Sequence, residues 1–274
     1  MMASQSSLCS FILLVDKRMA RIYRFDRACA LVSPDFDYLE DPRSLFEFFW
    51  RLSNPHYCNT IFGADDNVKM ASPIDLIYAE QSCLQSQKYR ERWNKRKDCD
   101  NNRAIAVPSV SPDVEEGLFV TLRKRNLSCK TVPSSVYIHE ALRIGDRSRA
   151  RFTVKEAWYT SDSNNEVELH RQIQDHADLQ RTPVVGVPRL VYGGNIDQIA
   201  RKKTFSTDLH QTTHYTDGPC KRAGCGPLVH HRLVFDAVGD PLHTFRTTRI
   251  LVEAIRDAVV GHRIAHDANI LHRN

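Results

Sequence analysis

The sequence predicts an α+β fold, on three observations. Five strand-like runs follow one another between Leu118 and Phe235, one helical pattern interrupts them, and a long amphipathic helix follows at 247–266. Strands broken once by a helix imply a sheet with that helix packed on it, here expected to be five-stranded and antiparallel.

Taken in order, Phe11–Val15 and Met19–Phe25 are β-rich runs separated by Asp16-Lys17-Arg18, the pattern of a hairpin. Asp41-Pro42 then opens a helix with apolar positions at Leu45, Phe46, Phe48, Phe49 and Leu52. Residues 84–103 are strongly polar and read as a solvated helix or linker. Within them Lys88–Lys97 is basic with Tyr89 and Trp93 interleaved, which fits a nucleic-acid patch or, more plainly, a solvated charged face. From Pro108 the texture changes. Strands are expected at Leu118–Leu122, Ser135–His139, Arg151–Lys155, Arg189–Tyr192 and Arg232–Phe235, with a helix over about Asn165–Ile173. Residues 194–228 are rich in Gly, Pro and Thr and read as a long loop. The helix over Thr247–His266 carries Ile250, Leu251, Ala254, Ile255, Ala258, Val259 and Ala265. No internal repeat is visible.

The bulk numbers set limits. At 274 residues, with 42% hydrophobic and 26% charged positions, the chain has an ordinary globular composition and can bury a sizeable core. A net charge of +5 permits an anionic partner without arguing for one. Eight scattered cysteines make no disulfide framework and read as reduced thiols. The apolar run Cys9–Val15 lacks a basic leader and is too short to span a bilayer, so a strand is expected rather than a signal peptide. The expected location is intracellular, in cytoplasm or nucleus.

Chemistry gathers around two residues. Lys155 ends a strand-like run and Glu166 follows eleven positions later on the predicted helix. A strand lysine held by a helix glutamate is the pairing that positions ATP phosphates in protein kinases, because the ammonium neutralises phosphate oxygens and the carboxylate fixes the flexible lysine. Surface Lys and Glu are common, so the pair alone also has a plain structural account. Glu168 is the alternative carboxylate; Glu166 is preferred because Leu169 and Ile173 then point inward.

Later stretches strengthen the resemblance. "HHRLVFDAVGDPLHTF" at 230–245 resembles a kinase hinge, with Phe235 as gatekeeper and Asp236, Ala237 and Val238 offering backbone groups to adenine. Ile270-Leu-His-Arg-Asn274 falls where kinases carry I-L-H-R-D. "RIYRFDRACALVSPDFDYLEDPRSLFEFFW" at 21–50 and "FTVKEAWYTSDSNNEVELHRQI" at 152–173 resemble, in order, the accessory segment and the lysine-to-helix segment of the fungal-type protein kinase domain family. The resemblance implies three parts: an N-terminal accessory segment with a polar basic linker at 1–107, a kinase-like small lobe at 108–239, and the start of a large lobe at 240–274. It implies phosphorylation of protein Ser/Thr with ATP and magnesium, Lys155 and Glu166 at the nucleotide, and His272 and Arg273 supporting a catalytic loop.

Departures from the family pattern shape the expectation. "LSCKTVPSSV" at 127–136 stands where the family has a Gly-rich turn, and Pro133 has no N–H to offer a phosphate. Asn274 occupies the catalytic-aspartate position, and an amide cannot accept the substrate proton as a carboxylate does. The sequence therefore reads as a truncated kinase-like protein, catalytically inactive, with nucleotide binding in doubt. A pseudokinase-type protein-binding module is the alternative, and a basic nucleic-acid binder the more distant one.

Two further features are weighed. Cys220-x4-Cys225 with His230-His231 has zinc-ligand residue types, but adjacent histidines point to opposite faces of a strand, so coincidence is preferred and no metal site is assigned. The helix at 247–266 is expected to expose an apolar stripe of Leu251, Ile255, Ala258 and Val259, a partner site or an aggregation liability.

Overall fold

The structure is a computed structural model of the chain, and it describes residues 8–25, 30–54, 65, 67–85, 90, 102–110, 114–125, 136–160, 166–196 and 228–271. The chain divides into two compact units. One comprises residues 1–69, 158–162 and 195–230; the other comprises 70–157, 163–194 and 231–274.

The first unit contains a small antiparallel sheet. Strands β1 (Ser10–Asp16) and β2 (Met19–Phe25) pair from Ser10 opposite Phe25 to Asp16 opposite Met19. So short a turn needs a left-handed residue, and Lys17 supplies it at φ +45°. The Tyr38 hydroxyl donates to Lys17 O at 2.5 Å, and Arg18 meets Asp37 and Glu40 at 2.7 and 2.6 Å. Two short strands absent from the sequence expectation, β3 (Ala30–Val32) and β4 (Phe36–Asp37), also pair with β2. Helix α1 (Arg43–Ser53) begins behind Pro42 as expected, and its Phe48 meets Phe11 of β1 edge to face.

A seven-stranded sheet runs in the order β10-β11-β9-β8-β7-β6-β5. Its strands are β5 (Val68–Met70), β6 (Arg103–Val107), β7 (Gly117–Arg125), β8 (Val136–Arg143), β9 (Arg151–Thr160), β10 (Leu190–Asn195) and β11 (Leu228–Phe235). Strands β6 to β9 are consecutive and antiparallel. The five expected strands are all present and longer than their sequence patterns, but the expected five-stranded sheet gains β5 and β6 at one edge. Strand β6 lies at the end of the segment read as linker, where the short apolar run Ala104–Val107 follows a long polar one.

Helix α2 (Pro73–Leu84) was not expected. It is built by a strong local signal: Ser72 caps Asp75 N, the Asp75 carboxylate returns to Ser72 N, and Pro73 takes the first helical position. Its Ala79 and Cys83 are buried against Val120, Leu122 and Leu142. The Tyr78 hydroxyl donates to Asp146 O at 2.5 Å in the β8–β9 turn. Helix α2 and strand β6, placed by the sequence reading in the accessory segment, belong to the second unit.

Helix α3 (Glu166–Leu179) extends six residues past the expected end at Ile173. It stops where Arg181 takes φ +50° and Thr182 N closes back on Ala177 O at 2.9 Å, a left-handed C-terminal closure. A 3-10 turn at Leu242–Thr244 precedes α4 (Thr248–Asp267), which Thr247 caps through Ile250 N. Asn269 at φ +60° ends α4 in the same way, with Ile270 N returning to Ala265 O.

The two helices share a core of Ile173, Ile264, Ala265 and Ala268, joined by Val184, Val187, Val260 and Ile270. Here the segment after α3 lies on α4 at backbone contact distance. A methyl group on Gly186, itself at φ +78°, would fall 1.8 Å from Asp257 O, and one on Gly261 would fall 2.9 Å from Gly186 C. Glycine is required at both positions because the two backbones touch.

The face α4 turns inward corrects the sequence expectation in part. Ile255, Ala258 and Val259 are exposed as expected, together with Val252, but Leu251 is half-buried. The inward face is set by Gly261, Ile264, Ala265 and Ala268 instead. Among the described residues no helix is long and apolar enough to cross a membrane.

Candidate functional site

The site is built within the second unit by β9, α3 and β11. Residues alternate across a strand, so Lys155 and its neighbour Glu156 project to opposite faces of β9. Lys155 Nζ donates to both carboxylate oxygens of Glu166, at 2.8 and 2.7 Å. Glu166 is the first residue of α3, where the helix N-terminus favours a negative side chain. Glu168 takes no part and instead pairs with Arg171 on the helix surface at 2.8 Å. The Lys155 and Glu166 side chains keep 24% and 21% of their exposure, so the pair is only partly withdrawn from water.

One turn further along α3, His170 faces the same pair. Its Nε2 lies 3.9 Å from Glu166 Oε1, and its ring packs on Phe235 of β11 at 5.0 Å between centroids. Burial pushes the His170 imidazole below its ordinary pKa; the Glu166 carboxylate opposes that shift and the Lys155 ammonium adds to it. His170 was not singled out in the sequence. The detectable signal was its position four residues after Glu166, which places both side chains on one helix face.

The segment after Phe235 is held from two sides. Asp236 N donates to Arg189 O at 3.1 Å, Arg189 N donates to the Asp236 carboxylate at 3.2 Å, and the Thr153 hydroxyl donates to Ala237 O at 2.6 Å. Of the hinge groups expected from the sequence, the Asp236 amide and the Ala237 carbonyl are thus used inside the protein. The Asp236 carbonyl and the Val238 amide are not consumed by these bonds.

On the other face of β9, Glu156 receives Arg232 Nε at 2.7 Å, while Arg232 Nη1 donates to Ala106 O at 3.1 Å. The Arg232 side chain is fully buried. This pair braces β11 against β9 and β6, and Glu156 keeps 13% of its side-chain exposure.

A family model described as fungal protein kinase matches residues 6–274. The chain belongs to the fungal protein kinase family. No curated protein matches the chain. In this kinase family member Lys155 and Glu166 meet as an ion pair, and β11 ends at Phe235, ahead of Asp236–Val238.

Several sequence-derived candidates fall elsewhere. His272, Arg273 and Asn274 lie outside the described residues, as do the 127–135 turn, Cys220, Cys225 and all of the basic 88–97 run but Arg90. His230 is buried in the first unit, its ring stacked on Trp158 at 4.5 Å with Asp65 4.0 Å from Nδ1.

Kinase membership implies ATP and magnesium in general. The residues present are compatible with a nucleotide, since Lys155 is oriented by Glu166 and partly exposed, and the Asp236 carbonyl and Val238 amide are not taken by the bonds above. Magnesium is a different matter. No cluster of three or more His, Cys, Asp and Glu side chains able to hold a metal occurs among the described residues, so no step is assigned to it.

Proposed function

We propose that this fungal protein kinase family member binds ATP beside β9, with Lys155 on the phosphates, Glu166 fixing the lysine, and Asp236 O and Val238 N on adenine. The observation that carries this reading is the two-oxygen clasp of Lys155 by Glu166. A partly exposed ion pair contributes only about 0–1 kcal/mol to stability, whereas an oriented ammonium is what an anionic phosphate requires. The activity the family implies is phosphoryl transfer to protein Ser/Thr. Asn274 stands at the position of the base, and losing general-base help slows transfer by roughly 10²–10⁴-fold. The reading is therefore a nucleotide-binding kinase relative with phosphoryl transfer slowed by about that factor.

The test is titration with a fluorescent ATP analogue and, in parallel, radiolabelled phosphate incorporation into a generic protein substrate. Saturable binding that Lys155→Met weakens at least about tenfold, one factor of ten per 1.4 kcal/mol, supports the reading. Binding unchanged by Lys155→Met removes it. Incorporation above the Lys155→Met level shows that Asn274 does not silence the chain.

A second reading, a protein-binding module, is favoured by the apolar side of α4, where Val252, Ile255 and Val259 are 59%, 50% and 64% exposed. Replacing Ile255 and Val259 by Glu is expected to lower self-association in sedimentation velocity runs. An unchanged distribution argues that the stripe holds nothing.

A further inference from the structure

We propose that His170 is a positioning residue for the nucleotide lysine: neutral, it leaves Glu166 to Lys155, and protonated, it draws the carboxylate away and weakens nucleotide binding in acid. The inference rests on the nucleotide reading above for its consequence, and on geometry alone for its first step. His170 Nε2 stands 3.9 Å from the same Glu166 oxygen that Lys155 Nζ holds at 2.8 Å. At 3.9 Å the ring is beyond hydrogen-bond reach, and the carboxylate is committed to Lys155. A side-chain rotation of about 1 Å brings an imidazolium N–H into range, and Glu166 Oε1 then serves two cations.

The surroundings hold the ring in place for this. Phe235 packs against it from β11, and its position four residues after Glu166 keeps both side chains on one face of α3. The charged groups that act on it are Glu166 from its own helix and Lys155 from β9, while β11 presents the apolar Phe235. Its other side borders a cavity of about 140 Å³ that it shares with Arg171, Asp175 and Arg189, roomy enough for water to deliver a proton. Acting through Glu166, His170 touches no reacting atom.

Burial opposes protonation, so the switch operates below neutral pH. The ATP phosphates titrate in the same range, and comparison with variants removes that common contribution. The affinity of the full chain for a fluorescent ATP analogue is measured from pH 8 to 5.5 for wild type, His170→Gln and His170→Leu. Without nucleotide, the ¹⁵N resonance of Lys155 Nζ is followed over the same range. Expected are equal slopes above pH 7 and, below it, wild-type affinity falling progressively under that of either variant, a factor of ten for each pKa unit of coupling. The Lys155 Nζ resonance should shift with the His170 titration in wild type and stay still in both variants. Parallel affinity profiles, or a Lys155 resonance that ignores His170, overturn the proposal. If no analogue binds at any pH, the nucleotide reading fails, and the Lys155 resonance still decides whether His170 governs the pair. If one variant is poorly folded the other serves, since Gln keeps polarity and Leu keeps the packing against Phe235.

Discussion

Lys155 and Glu156 are neighbours on one strand and each meets an opposite charge, yet the two ion pairs inhabit different media. Glu156 faces an arginine with no exposed side-chain surface, which also reaches Ala106 O on β6. Lys155 faces a glutamate in a setting where about a quarter of the lysine side chain remains open. The same chemistry therefore does two jobs. Without water, an ion pair becomes a brace whose members cannot separate without leaving a bare charge inside the protein. With water nearby, the pair is energetically slight, and its cation can be shared with an incoming anion at little cost.

The contrast can be broken from either side, and the brace gives the larger effect. Arg232→Met should destabilise the chain by about 3–5 kcal/mol, because it removes the buried cation that holds Glu156 and the Ala106 carbonyl. Urea unfolding of the variant measures this, and a second change, Glu156→Met, should recover much of the loss, since an apolar pair of similar volume often replaces a buried ion pair without penalty. If Arg232→Met alone is neutral, the brace is not a brace. On the open face, Lys155→Met should change stability by about 1 kcal/mol or less while removing nucleotide binding, so the two variants separate the faces by the same measurement.

The smallest effect concerns pH. The folded pKa of His170 lies below the unfolded value near 6.5, so between the two the unfolded chain binds the extra proton. Its contribution to stability is whole above about pH 6.5 and is lost as pH falls through the folded pKa. His170→Gln should therefore flatten the acid limb of a melting-temperature profile and leave the profile above pH 7 unchanged. A steeper acid limb in the variant would contradict the assignment.

Much of this was legible in the residues, and what was not has identifiable causes. Lys155 and Glu166 could be paired from sequence because residues 152–173 resemble the family's lysine-to-helix segment, although the strand runs on to Thr160 and Lys155 lies at its middle rather than its expected end. Helix α2 was overlooked although its Ser72-Pro73 start and Asp75 were in plain view, because its apolar residues are spread round the helix rather than along one stripe. Strand β6 was hidden by the polar run before it. The spacing of His170 from Glu166 put it on the right helix face, but its contact with Phe235, 65 positions away, carries no local signal. On α4 the apolar pattern admits two faces, and the choice between them was made by Gly261, where the absence of a side chain lets Gly186 approach. Periodicity scores side chains and cannot see a contact made by lacking one.

That glycine contact is one part of the seat of α3 on α4. Midway along α3, Ile173 is seated among Ile264, Ala265 and Ala268, and beyond the C-terminal end the 182–188 segment lies on α4 backbone on backbone. From that seat Glu166 stands seven residues away, about 10 Å at 1.5 Å per residue. A tilt of about 10° over that length would carry the carboxylate roughly 2 Å, enough to part it from a lysine nitrogen held at 2.7–2.8 Å. The free arm of α3 is thus the short one that carries the grip on Lys155, and its reach is set by where the helix is seated on α4.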